Sequence, residues 1–499
     1  MIESLFQLPK SVLSDLVSCW LSFKEIGRLD CAVSLTRVRP IWEESLCSAS
    51  LRHTERNCPV HKKLVLWMVK RKVQLKEVFV GTEFEQCSRD MHHQLFRSSG
   101  NTLRTIVVNA SYGYGRTESI VLDLCMFATA IEVCIVKPAI SEVTAGILLA
   151  TNKKFRVLSL RSGMGVLNCA SNFNSFSHLT DLTLGCGVSS ESLHLFLDQN
   201  PPKLQKLCLP DCQEFDSVAL TKLQSLTQLC VLHVAYLKCS DLASLCYPNV
   251  LELKIGLSSY DTQSVGAIAN AFPNVTMLKI GPCGTVLTMS VLLQIIALLP
   301  QVRQFTAWSG PDGMDYTDSL TCLSYRTSRD DATSSLERLY VNVDPTDFDV
   351  VKLAAIFPAL YDVGFYQLPL FRTAMQGAQG AIERLSAYSQ SRVDDDNVAN
   401  ICGLQELALL DCRNLSDAGF IALARNNPQL RVLIVKNVNV KVTYKGLVVF
   451  LECCPLLTSV TFVVDIPPTR VTYCEADAMF SQVCKKSYPN LKHFVCNMV

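Results

Sequence analysis

The chain has 499 residues, of which only 18% are charged, and 46 basic against 45 acidic side chains leave a net charge of +1 and a pI near 7.4. That balance offers no basic excess for a phosphate backbone and no block of like charge for a membrane surface, so no nucleic acid and no membrane is expected as a partner. The 23 cysteines form no Cys-x-x-Cys pair, and Glu3, Lys10 and Asp15 interrupt the first segment where a secretory signal would be apolar, so the thiols read as reduced and buried in a cytoplasmic and/or nuclear chain.

In chain order, residues 1–50 carry three short apolar faces at helical spacing. The first follows Leu8-Pro9 and comprises Leu13, Leu16, Val17, Trp20 and Leu21; the second holds Ile26, Leu29, Ala32 and Val33; the third ends in Trp42 and Leu46. Three such helices are too small for a comfortable free-standing domain and should dock on something. Residues 51–74 read as a linking or capping segment with a helix over 61–73, whose Lys62-Lys63 and Lys70-Arg71-Lys72 form a solvated basic face. The most apolar stretch, Ile120 to Val136, contains Asp123 and Glu132 and is not a membrane span.

From Leu75 onward a Leu-x-x-Leu-x-Leu pattern recurs. Its clearest copy, Leu404, Leu407 and Leu409 followed by Cys412, is repeated 26 residues later from Leu430. First positions fall at Leu75, Leu103, Ile131, Phe155, Leu179, Leu204, Leu229, Val250 and Val275, and then at Val302, Leu336, Leu360, Ile382, Leu404, Leu430, Leu457 and Leu491, giving 17 units over 75–499. The Ile131, Val302 and Ile382 copies are the poorest. A period in the twenties with this signature means leucine-rich repeats, units that must stack on neighbours to bury their apolar faces. Within a unit, Leu407 and Leu409 point inward from a short strand, Ser416 caps a helix carrying Ala418, Ile421, Ala422 and Leu423, and Asn426-Asn427-Pro428 stops it. Strand, turn, helix and proline stop predict an α/β solenoid, a horseshoe with parallel strands on its concave face and helices outside. Cys186, Cys212, Cys283 and Cys412 pack under the turns.

The unit resembles the cysteine-containing class of leucine-rich repeat found in F-box/leucine-rich-repeat proteins, and the amino terminus resembles an F-box: Leu8, Pro9, Leu13, Val17, Leu21, then Lys24 to Leu29, Val33 and Trp42. It departs from that pattern where AVSLTRVRPIW replaces the usual Val-Cys and Arg-x-Trp, and where Asp30 and Cys31 sit in the second helix. The resemblance implies a substrate-recognition subunit of an SCF-type ubiquitin ligase. Leu8, Pro9, Leu13, Val17, Ile26, Leu29 and Val33 would bind a Skp-type adaptor and so join a cullin ligase complex, while the repeats hold a target protein, the chain being a monomer within that hetero-complex. The alternative is a repeat scaffold with no ligase link, in which residues 1–74 only cap the first repeat.

No catalytic constellation is apparent, and no enzyme activity, metal or cofactor is expected. Cys87 with His92 and His93 reads as ordinary helix residues, Asp394-Asp395-Asp396 as acids at a helix start, and Tyr112-Gly113-Tyr114-Gly115 as a loop. Function then falls to the outward third, fifth and seventh positions of the hexapeptide. Trp308, Tyr340, Tyr366 and Tyr388 occupy such positions in four successive units, with Arg338 and Arg384 beside them. Aromatics and arginines are what interfaces concentrate, which predicts one exposed patch for a partner, an acidic or phosphorylated segment being the expected guest. The polar stretch 309–335 next to it is too long for a repeat turn and is a candidate binding loop.

Overall fold

The computed structural model describes residues 8, 13, 16–17, 23–33, 39–48, 50–52, 62–81, 87–109, 114–162, 177–185, 188, 190–210, 216–242, 244–257, 262–281, 287–307, 335–341, 350–365, 382–388, 394–411, 414–438, 442, 444–464, 490–491 and 493–498. They fall into two compact units, 1–237 and 238–499, a division that runs through the repeat array. Both have the α/β leucine-rich-repeat solenoid fold.

In the first unit, α1 (Phe23–Ala32), α2 (Arg39–Ser48) and α3 (Lys62–Lys70) precede the repeats. The strands are β1 (Ser50–Arg52), β2 (Gln74–Val80), β3 (Thr105–Val108), β4 (Val133–Ile140), β5 (Val157–Ser162), β6 (Asp181–Leu184), β7 (Lys206–Leu209) and β8 (Val231–Val234), each paired in parallel with the next. Between them lie α4 (Arg89–Ser99), α5 (Tyr114–Phe127), α6 (Glu142–Thr151), α7 (Ser190–Asp198) and α8 (Ser217–Leu223). Helix α5 corrects one expectation: Tyr114 and Gly115 open a helix instead of lying in a loop. Strand β1 is an element the repeat pattern does not announce.

The amino-terminal helices are fastened by a buried carboxylate. Asp30 Oδ1 accepts from Trp42 Nε1 at 2.9 Å and Oδ2 from Trp67 Nε1 at 2.9 Å. Arg39 lies 2.9 Å from Oδ1 and Arg71 lies 3.5 Å from Oδ2, and both guanidiniums also reach Glu43 at 2.8 Å. Asp30 therefore ties α1 to α2, α3 and the residue just after α3. A residue that reads in the sequence as a flaw in an apolar helix is a junction, satisfied on both oxygens as a buried charge must be.

The second unit opens with a 3-10 helix (Cys239–Leu242) and continues through β9 (Glu252–Ile255), β10 (Met277–Ile280), β11 (Gln304–Ala307), β12 (Arg338–Val341), β13 (Asp362–Phe365), β14 (Arg384–Tyr388), β15 (Glu406–Leu410), β16 (Val432–Val438), β17 (Ser459–Val464) and β18 (His493–Met498). All pair in parallel, each with the next. The helices here are α9 (Thr262–Ala271), α10 (Met289–Leu298), α11 (Val350–Ile356), α12 (Asp395–Val398), α13 (Asp417–Asn426) and α14 (Tyr444–Cys453). Among the described residues, the short steps from Leu229 to Val250 and from Ile382 to Leu404 carry the 3-10 helix and the single turn of α12.

The register is the one the hexapeptide demands. Leu385, Leu407 and Leu433 lie side by side, as do Ala387, Leu409 and Val435, and all six are buried. The copies at Ile131, Val302 and Ile382 keep this register, with their first residues buried. Successive repeats are also locked outside the sheet. Asp394 caps α12 by accepting from Asn397 N, and Asp395 accepts from Ser416 N at 2.8 Å, reaching into the start of the next helix. A Cβ on Gly419 would collide with Asp395, so that glycine is what lets α13 approach. The aspartate run is thus helix-start chemistry and an inter-repeat contact.

Nine cysteines with described side chains are free thiols. Burial pushes the thiol of Cys125 up to about 11 and that of Cys454 up to about 12, and Cys454 Sγ donates to the carbonyls of Ala424 and Asn427. Cys186, Cys212, Cys283 and Cys412 lie outside the described residues. Cys87 and His92 are buried, and no metal-ligating group of three appears among the described residues.

Candidate functional site

The residues proposed to meet an adaptor divide into two sets. Leu13, Val17, Ile26 and Val33 are almost completely buried within the chain, so the apolar face they form is already covered. This corrects the expectation that the whole face is open to a partner. Leu8 is exposed, at 38%, and Leu29 is half-buried; Pro9 lies outside the described residues.

The outward positions of β11 to β16 form the second candidate. Because neighbouring strands pair without a slip over these positions, equivalent residues line up in rows about 4.8 Å apart. The third positions read Gln304, Arg338, Asp362, Arg384, Glu406 and Val432. The fifth positions read Thr306, Tyr340, Gly364, Ser386, Ala408 and Ile434. Charge therefore alternates along the first row, plus, minus, plus, minus.

The row is knit together. Arg384 Nε lies 3.1 Å from Glu406 Oε2 and its Nη1 lies 3.9 Å from Asp362 Oδ2. Arg338 Nε donates to Tyr361 Oη at 2.9 Å, and both guanidinium carbons stand 5.7 Å from the centre of the Tyr361 ring. Tyr340 leans from β12 across β13: its ring lies where a Cβ on Gly364 would be, and its hydroxyl donates to Asp362 Oδ2 at 2.7 Å.

This corrects the picture of one exposed aromatic and arginine patch. Tyr340 is on the expected face but only 3% exposed, folded down onto Gly364, and the Arg384 side chain is only 15% exposed. Trp308, Tyr366 and residues 309–334 lie outside the described residues. Tyr388 is in β14 at the predicted register, opposite Leu410. What the sequence reading missed are Asp362 and Glu406, which occupy the same outward positions as the two arginines.

Between Tyr340 at one end and Ile434 at the other, the short side chains of Ser386 and Ala408 leave a depression whose rim carries Asp362, Arg384 and Glu406. Burial holds the Asp362 and Glu406 carboxyls above the usual carboxylate range, while Arg384 pulls both back down. Burial also raises the Tyr340 phenol, and Asp362 adds to that shift, so the hydroxyl stays a donor. Tyr340→Phe removes a donor from a buried carboxylate and is expected to cost about 1–3 kcal/mol. The measurement is the urea midpoint, and an unchanged midpoint would show that Asp362 is solvated instead.

The sequence matches no protein-family model and no curated protein. Among solved structures, a chain of the Rad7 and Elc1 complex of yeast aligns at 11% identity and TM-score 0.38, covering 95% of this chain and 98% of that one. The Listeria monocytogenes internalin inlF aligns at 15% identity and TM-score 0.29, covering 71% and 84%. A chain of the TLR13–ssRNA13 complex aligns at 13% identity and TM-score 0.36, covering 90% and 69%.

Proposed function

We propose that the protein is a non-catalytic interaction scaffold that holds a protein partner on the outward face of β12–β16. The depression between Tyr340 and Ile434 carries this reading. It combines desolvated charges, a fixed geometry set by parallel strands, and small side chains that leave room for a partner group. Rigid strands place these groups without the ordering cost that a loop would add.

A second reading makes the scaffold a substrate receptor of an SCF-type ubiquitin ligase. Leu8 favours it, because the residue that heads the F-box resemblance is exposed. In that role the chain performs no chemistry. It raises the effective concentration of a target lysine near a ubiquitin-charged enzyme.

One experiment addresses both. Full-length wild type, Ser386→Trp and Leu8→Asp are expressed in cells, cross-linked, captured and compared by quantitative mass spectrometry. Ser386→Trp is expected to lose a target protein while keeping a Skp-type adaptor, and Leu8→Asp the reverse. Absence of any Skp-type adaptor from the wild-type capture sinks the ligase reading alone. If no captured protein depends on Ser386, the outward face is not the binding face.

A further inference from the structure

We propose that the edge of the first unit where helices end and strands β2 to β7 begin docks an acidic segment of a protein partner. This edge is separate from the outward face of β12–β16, and the inference does not depend on that face.

The near-zero net charge of the chain is unevenly spread. Lys72 and Lys76 flank the start of β2, Lys153, Lys154 and Arg156 join α6 to β5, and Lys203 precedes β7. A backbone ladder brings these stretches side by side. Arg104 N donates to Lys76 O, Glu132 N to Arg104 O, Arg156 N to Glu132 O, Thr180 N to Arg156 O and Gln205 N to Thr180 O. At about 4.8 Å per strand, β2 and β7 stand roughly 24 Å apart along this edge.

The acids of the edge are already engaged. Glu132 lies 3.4 Å from Arg104, Asp198 lies 2.7 Å from Lys222, Asp181 accepts from Thr180 Oγ1, and Glu77 is half-buried and engaged as well. The six cations named first make no ion pair among the described residues, and all but Lys76 are exposed. Helix macrodipoles favour cations at helix ends, but they act alike in both units. In the second unit the equivalent segments carry acids as often as bases, with Glu337, Glu383 and Glu406 against Arg303, Arg384 and Arg431. Lys72 adds a separate observation. Its φ is 51°, in the left-handed region where glycine is unstrained, so folding alone does not favour a lysine there.

The chemistry of the edge selects a protein. Lysines are flexible point charges that meet carboxylates without a fixed geometry. No exposed Phe, Trp or Tyr stands at this edge among the described residues, so it lacks the platform on which single-stranded nucleic acid stacks its bases. An extended segment rising about 3.3 Å per residue spans the edge in roughly seven residues.

The full-length protein is titrated at physiological salt against a fluorescein-labelled dodecapeptide of alternating Asp and Glu, with a DNA duplex and phosphatidylserine vesicles as parallel probes. The peptide is expected to bind and to be released by added salt. Lys153→Glu combined with Lys154→Glu and Arg156→Glu is expected to weaken it about tenfold or more. Arg431→Glu, at the same repeat position as Arg156 but in the second unit, is expected to leave it unchanged. Lys72→Gly separates binding from folding, because it should weaken the peptide without lowering the melting temperature. Combined with Lys203→Gln it replaces the triple variant should that melt early. Equal losses with Arg431→Glu, or no peptide binding by wild type, would overturn the docking edge. A duplex or vesicle that binds more tightly than the peptide and is released by the triple variant would overturn the protein partner and assign the edge to phosphate groups.

Discussion

Asp30→Ala is expected to lower the stability of the amino-terminal region by about 3–5 kcal/mol, the usual result of removing one member of a buried charge pair. The loss is large because the carboxylate serves four donors at once. Without it the Trp42 and Trp67 indole N–H groups lose the carboxylate that accepts from them, and Arg39 and Arg71 each lose one of the two carboxylates they reach. Glu43 is far more exposed than Asp30 and cannot replace it, since exposed pairs contribute little. The consequence should be local, because each repeat contacts chiefly its neighbours. Native-state hydrogen exchange should show α1–α3 losing protection while β14–β16 keep theirs. Loss of protection throughout the chain would mean that these helices nucleate the array; no loss anywhere would mean that the Asp30 network is incidental. The same variant bears on function, since opening these helices uncovers Leu13, Val17, Ile26 and Val33, the face that the adaptor reading needs. Stronger capture of a Skp-type adaptor by Asp30→Ala than by wild type would show that the buried face is released for binding.

The repeat array was legible because its signal is periodic and redundant. Each first position from Leu103 to Leu491 precedes one of the strands β3 to β18, Leu75 lies at the start of β2, and weak copies such as Ile382 inherit their register from strong neighbours such as Leu404. Strand β1 was not legible, because three residues, Ser50-Leu51-Arg52, pair with β2 without carrying the hexapeptide. The candidate site was half legible. The register rule that brought Arg338 and Arg384 to one face brings Asp362 and Glu406 there too, but a search for interface-type residues passes over carboxylates. The fate of Tyr340 was not legible from its own strand. It lies flat because the residue at the same register on β13 is Gly364, a property of the neighbour. In the amino-terminal segment, helical spacing located the apolar faces of α1 and α2, but an apolar stripe is the same whether it meets a partner or its own chain. Asp30, Trp42 and Trp67 decide that question, and their meeting spans 37 residues of sequence.

Asn427→Ala is expected to cost at least about 4 kcal/mol and to uncouple two repeats. The residue reads in the sequence as part of a helix stop before Pro428, yet its side chain is a completely buried bridge. Its Nδ2 donates to Leu423 O at 2.7 Å and to Ile401 O at 3.0 Å, and its Oδ1 accepts from Leu404 N at 2.8 Å. Of these partners Ile401 ends the preceding unit and Leu404 opens the unit to which Asn427 itself belongs, so the amide ties the end of α13 to the junction between the two repeats. Truncation leaves three backbone groups to find other partners, and each buried group that fails to do so costs about 1–3 kcal/mol. Asn427→Asp tests the hydrogen-bond account against a simple packing account. It keeps the volume and the acceptor for Leu404 N, but once ionised it aims an oxygen at two carbonyl oxygens. Only the protonated acid supplies a donor, so its folded pKa must rise above the unfolded value of about 3.9. The folded protein then holds the proton more tightly than the unfolded chain, and stability must fall as pH rises through the gap between the two values. Denaturation midpoints for Asn427→Asp should therefore approach wild type at low pH and diverge toward neutrality, relative to the wild-type pH profile. Parallel profiles for the two proteins would show that Asn427 acts through its volume, and the inter-repeat bridge would lose its energetic role.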